Sequence, residues 1–83
     1  TQVWLVREML KIAGQPGDIV TLLPLGQDAV GVSTDGLEWA LHDDTLRFGP
    51  ARGVSNVMTS SQARVSLRSG LLVAIRTSLP KPG

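Results

Sequence analysis

Residues 29–41 read AVGVSTDGLEWAL, and this stretch decides what kind of chain it is. Ala29 to Ser33 puts Val30 and Val32 on one side of an extended segment, because side chains along a strand alternate between faces. Asp35-Gly36 follows, the pair that two-residue hairpin turns favour because both central residues need positive φ. Leu37 to Leu41 then returns with Leu37, Trp39 and Leu41 on one face and Glu38 and Ala40 on the other. That alternation suits a half-buried antiparallel strand. The first expectation is therefore a mainly β chain.

The flanking segments carry the same signals. Gln15-Pro16-Gly17-Asp18 is turn chemistry, with Pro fixing φ and Gly accepting a positive value. Ile19 to Leu23 makes a strand that Pro24 ends, since proline cannot donate to a ladder. Gly26-Gln27-Asp28 is the next turn. His42-Asp43-Asp44-Thr45 reads as a turn or a single helical turn with Asp43 or Asp44 as its N-cap. Leu46 and Phe48 alternate with Arg47 in a short strand. Gly49 to Gln62 is the longest loop candidate, with Val54, Val57 and Met58 as its anchors. Ala63 to Arg68 and Leu71 to Ser78 form a last hairpin turning at Ser69-Gly70, and Pro80 to Gly83 is a tail.

The N-terminal stretch reads differently. Leu5, Val6, Met9, Leu10 and Ala13 fall on one face of a helix over Val3–Ala13, with Arg7, Glu8 and Lys11 opposite. Gly14 stands where a C-cap glycine belongs. A strand over Val3–Val6 competes, because Val-Trp-Leu-Val also suits a sheet.

The pattern from Gly17-Asp18-Ile19-Val20 through Asp35-Gly36-Leu37-Glu38-Trp39 to Leu46-Arg47-Phe48 resembles the meander of SH3-like barrels. An OB-like barrel accommodates it nearly as well. The expected fold is a small antiparallel barrel or rolled sheet of five or six short strands with one N-terminal amphipathic helix. Its parts are a helix at 1–14, a meander at 15–48, a loop at 49–62, a hairpin at 63–79 and a tail at 80–83, all in one domain.

Composition narrows the function. Eighty-three residues make one domain, and none is cysteine, so disulfides and Cys-based zinc sites are excluded. That usage fits a cytoplasmic or otherwise intracellular location. No apolar run approaches the ~20 residues that span a bilayer, so no membrane partner is expected. The net charge of +1 hides an asymmetry. Residues 1–44 hold all seven acids against Arg7 and Lys11, while 45–83 hold Arg47, Arg52, Arg64, Arg68, Arg76 and Lys81. Such a split either marks an anionic partner or pairs acidic with basic strands inside one sheet.

Reactive groups are few. His42 beside Asp43 and Asp44 is the only triad-like cluster, and neighbours on a strand point to opposite faces. No EF-hand spacing, Walker motif or dinucleotide fingerprint is present. The sequence thus predicts no enzyme, cofactor or metal. It predicts a noncatalytic protein–protein interaction or assembly domain, able to self-associate, with Trp4, Leu5, Met9 and Leu10 as contacts. The alternative is a nucleic-acid-binding barrel using Arg47, Arg52, Arg64, Arg68 and Arg76. Trp4, Trp39 and Phe48 sit among apolar neighbours, where core packing is the expectation.

Overall fold

A computed structural model describes residues 1–49 and 54–78. Within them the chain forms eight strands: β1 (Gln2–Val6), β2 (Met9–Ala13), β3 (Ile19–Pro24), β4 (Ala29–Asp35), β5 (Asp44–Leu46), β6 (Val54–Val57), β7 (Gln62–Ser66) and β8 (Leu72–Thr77). They build two antiparallel four-stranded sheets, ordered β1-β8-β3-β6 and β2-β7-β4-β5. The inward rows of both sheets meet in one apolar core, with Val6, Ile12, Val20, Leu22, Val32, Met58, Val65 and Leu72 fully enclosed.

The mainly β, antiparallel expectation holds. The barrel meander does not, because consecutive strands seldom pair. Of the successive strands only β4 and β5 are hydrogen-bonded neighbours. At each other junction the chain crosses from one sheet to the other. The expected last hairpin is such a crossing: β7 lies between β2 and β4, while β8 lies between β1 and β3. Gly70 makes the crossing possible at φ +97°, where a Cβ would meet the Asp28 carbonyl oxygen at 2.5 Å.

No helix occurs among the described residues, so the expected helix over Val3–Ala13 is corrected to β1 and β2. Trp4, Val6, Leu10 and Ile12 point inward at period two. Val3, Leu5 and Met9 are apolar but point outward and are exposed. These outward apolar side chains break the alternation and imitate a helical stripe. The expected loop at 49–62 also contains β6, and Met58 sits in the core. Residues 80–83 lie outside the described residues. No helix among the described residues is long and apolar enough to cross a membrane.

Asp35-Gly36 does not close a two-residue hairpin. Gly36 alone takes positive φ, at +77°, and a Cβ there would collide with the Gln62 carbonyl. Asp35 stays in β4 opposite Arg64. The chain then runs out towards β6 before returning as β5.

One end of the sandwich is fastened by charge. Arg76 Nη1 lies 2.6 Å from Asp18 Oδ2, with both side chains largely buried, and Arg76 Nε donates to Gln2 Oε1. The Gln15 N–H donates to the same Asp18 oxygen. That bond, with Arg76 behind it, holds the Asp18 carboxyl below its usual range against the opposing effect of burial. A depressed carboxyl contributes stability that is complete above its unfolded value of about 4 and is lost as pH falls through the folded value. Acid unfolding of Asp18→Asn should therefore lack this low-pH step, while the parent chain shows it. Identical acid limbs in the two chains would show that the pair adds no pH-dependent stability.

Candidate functional site

Residues 36–41 leave β4, cross to the edge of the other sheet and are pinned along the way. The Gly36 carbonyl accepts the Thr59 N–H at 2.9 Å, and the Glu38 N–H donates to the Val57 carbonyl at 2.8 Å. Leu37 bridges Met58 and is buried. At the far end the Thr34 N–H donates to the Leu41 carbonyl, and Thr34 Oγ1 accepts the Leu41 N–H at 2.9 Å.

Between these anchors lies Trp39, held by Asn56. The Trp39 N–H donates to Asn56 Oδ1 at 3.0 Å, and Asn56 Nδ2 donates back to the Trp39 carbonyl. Asn56 Oδ1 also accepts the Val57 N–H. The Asn56 side chain is buried at 2% exposure, while Trp39 is 60% exposed. A fixed backbone thus presents a free indole. Exposed indoles are costly in apolar surface, and a flat or cationic ligand is what such a face recognises.

Beside this segment a cleft of about 200 Å³ opens on the outward face of the second sheet. Ser33, Thr34 and Asp35 of β4, Arg64 and Ser66 of β7, and His42 line it. The register explains their convergence. Ser33 stands opposite Ser66 and Asp35 opposite Arg64, so hydroxyls and charges form two rows on one face. His42 enters from the segment that follows Trp39. Its N–H donates to Asp44 Oδ2, and the Asp43 N–H donates to Ser33 Oγ, with Asp43 at φ 54°. Among the described residues no group of three His, Cys, Asp or Glu gathers to hold a metal.

The residues expected to bind protein do not form one surface. Trp4 and Leu10 pack against the core, while Leu5 and Met9 are exposed on different sheets. Nor do the described arginines form one stripe. Arg64 faces outward in β7, Arg68 pairs with Asp43 at 2.8 Å, and Arg76 is held at the sandwich end by Asp18. Arg47 is exposed just after β5, and Arg52 lies outside the described residues. Acidic and basic halves thus meet within the fold, as cross-strand pairing allows. Two aromatics expected in the core, Trp39 and Phe48, are exposed. Sequence reasoning missed Trp39, Asn56 and Thr34. The signal was a lone amide among the apolar anchors Val54, Val57 and Met58.

A family model described as thiamin pyrophosphokinase, vitamin B1 binding domain, matches residues 9–72. Solved structures share the fold. Thiamin pyrophosphokinase from Geobacillus thermodenitrificans gives a TM-score of 0.81 at 18% identity, over 92% of this chain and 36% of that one. Thiamine pyrophosphokinase from Bacillus subtilis gives 0.79 at 18% identity, over 92% and 36%. A thiamin pyrophosphokinase family protein from Enterococcus faecalis gives 0.75 at 11% identity, over 94% and 37%. The chain thus spans about a third of the length of these structures. The family match overturns the expectation of a noncatalytic protein-interaction domain and its nucleic-acid-binding alternative.

Thr34→Val keeps the shape of the side chain and removes its acceptor. The half-buried Leu41 N–H would then lack its side-chain partner, which should cost about 1–3 kcal/mol. Urea unfolding measures this. An unchanged midpoint would show that the Thr34 bond does not secure the segment.

Proposed function

This chain belongs to the thiamin pyrophosphokinase vitamin B1 binding domain family, and on that premise we propose that it binds thiamin, with Trp39 as the stacking platform and the neighbouring cleft as the polar contact. Thiamin joins a flat cationic thiazolium to an aminopyrimidine, with a hydroxyethyl arm. An exposed indole attracts a cation over its face by about 0.5–2 kcal/mol. The cleft supplies complementary groups for the aminopyrimidine. Asp35 accepts hydrogen bonds, and the Ser33 and Ser66 hydroxyls both donate and accept.

Size supports a shared task. At about 200 Å³ the cleft is smaller than the ~300 Å³ at which small-molecule sites begin. It suits one ring and leaves the rest of the ligand outside. In this proposal the chain is the substrate-holding part of an enzyme, and pyrophosphoryl transfer belongs to the larger share of the relatives' length. The observation that carries the reading is an exposed indole on a clamped backbone, in a segment that continues into the lining of a polar cleft at His42, within a vitamin B1 binding family.

Calorimetric titration with thiamin tests it. Trp39→Ala should weaken binding by about 2- to 30-fold, the range of one cation–π contact. Trp39→Phe should retain part of that affinity. Equal affinity in all three chains would remove Trp39 from the site, and no binding by the parent chain would sink the thiamin reading.

A further inference from the structure

We propose that Asn56 is the positioning residue of this platform: its buried amide fixes the backbone of Trp39 and so sets the point and direction from which the indole projects. The proposal rests on the thiamin reading of Trp39 given above. Asn56 occupies an inward position of β6, opposite Val20 of β3, where both neighbours in the inward row, Val54 and Met58, are apolar. An apolar side chain would serve the core better there, because a buried amide is tolerated only when bonded. Two of the three bonds made by this amide end on one residue seventeen positions away, on its N–H and on its carbonyl. The third goes to the adjacent Val57 N–H.

Bonding both groups of Trp39 fixes the peptide planes on either side of its Cα. The direction of the Cα–Cβ bond follows from those planes, so the root of the indole is fixed before any ligand arrives and only its two side-chain torsions remain to be ordered. Such preorganisation improves affinity by lowering the ordering cost of binding. Only a group with a donor and an acceptor at this reach can make the clamp. A carboxylate keeps the acceptor and loses the donor, placing negative charge against the Trp39 carbonyl. A protonated carboxyl has both functions again.

Asn56→Asp therefore separates positioning from simple packing. Thiamin affinity and hydrogen exchange of the Trp39 N–H are measured in the chain and the variant, at pH about 8 and about 5. At the higher pH the variant should bind about tenfold more weakly, the scale of one lost hydrogen bond, and its Trp39 N–H should exchange faster. Burial raises the value of a carboxyl, so at the lower pH the new group regains a donor. The ratio of variant to parent affinity should then return towards one. Equal affinities at the higher pH overturn the proposal, as does a deficit that persists at the lower pH while the Trp39 N–H is equally protected in both chains. Should the variant fail to fold, exchange in the parent chain still decides the clamp: a Trp39 N–H as fast as in a free peptide overturns it. Should the parent bind no thiamin, the ligand reading falls alone, and the exchange rates still report whether Asn56 holds residue 39.

Discussion

A hydrogen bond from the Leu67 N–H to the Glu8 carbonyl, 3.0 Å long, ties the fold line of a ribbon on which both sheets are built. One arm of the ribbon is β1 followed by β2, and the other is β7 followed by β8. They run antiparallel along their whole length, with Gln2 opposite Arg76 to Val6 opposite Leu72, and then Met9 opposite Ser66 to Ala13 opposite Gln62. At residues 7–8 and 67–71 both arms bend together and pass from one sheet to the other. The bend turns the inward rows of Val6 and Leu72 to face those of Ile12 and Val65. β3 then adds to β8, and β4 to β7. A flat ribbon would leave these apolar rows in water.

Much of this was legible in the sequence at the level of strands. The segments Ile19–Leu23 and Ala29–Ser33 lie within observed strands, as do most of Ala63–Arg68 and Leu71–Ser78. Partnership was not legible. Asp35-Gly36 and Ser69-Gly70 announce that the chain changes direction, and a crossing between sheets needs that as much as a hairpin does. Nothing local distinguishes the two, since the difference lies in which distant strand waits on the other side. The N-terminal error has another cause. Val3, Leu5 and Met9 face outward although apolar, so the period of two was hidden by residues whose burial does not match their chemistry.

The site was legible least of all. An aromatic flanked by leucines is normally core, and Leu37 does enter the core while Trp39 two positions later does not. The Trp39 backbone is bonded to residue 56, which no local window contains. The charge asymmetry was visible, and among the described residues part of it is met internally, with Asp18 on Arg76 and Asp43 on Arg68. Sheet and cleft are thus linked. The register that sets Asp35 opposite Arg64 and Ser33 opposite Ser66 also places the polar groups that line the cleft.

The alternation of strands between sheets also governs the order in which the molecule can assemble. Gln2 must wait for Arg76 before it finds its ladder partner, and Ile19 must wait for Val57 on one side and Thr77 on the other. Most contacts are between residues far apart in sequence, and chains of this kind fold slowly because loop closure precedes any reward. On a ribosome the first strand would emerge early and remain unpaired until nearly all of the domain had followed. During that interval its inward Trp4 and Val6, which the folded core covers, would be open to solvent along an unsatisfied edge, the condition in which a chain is prone to aggregate.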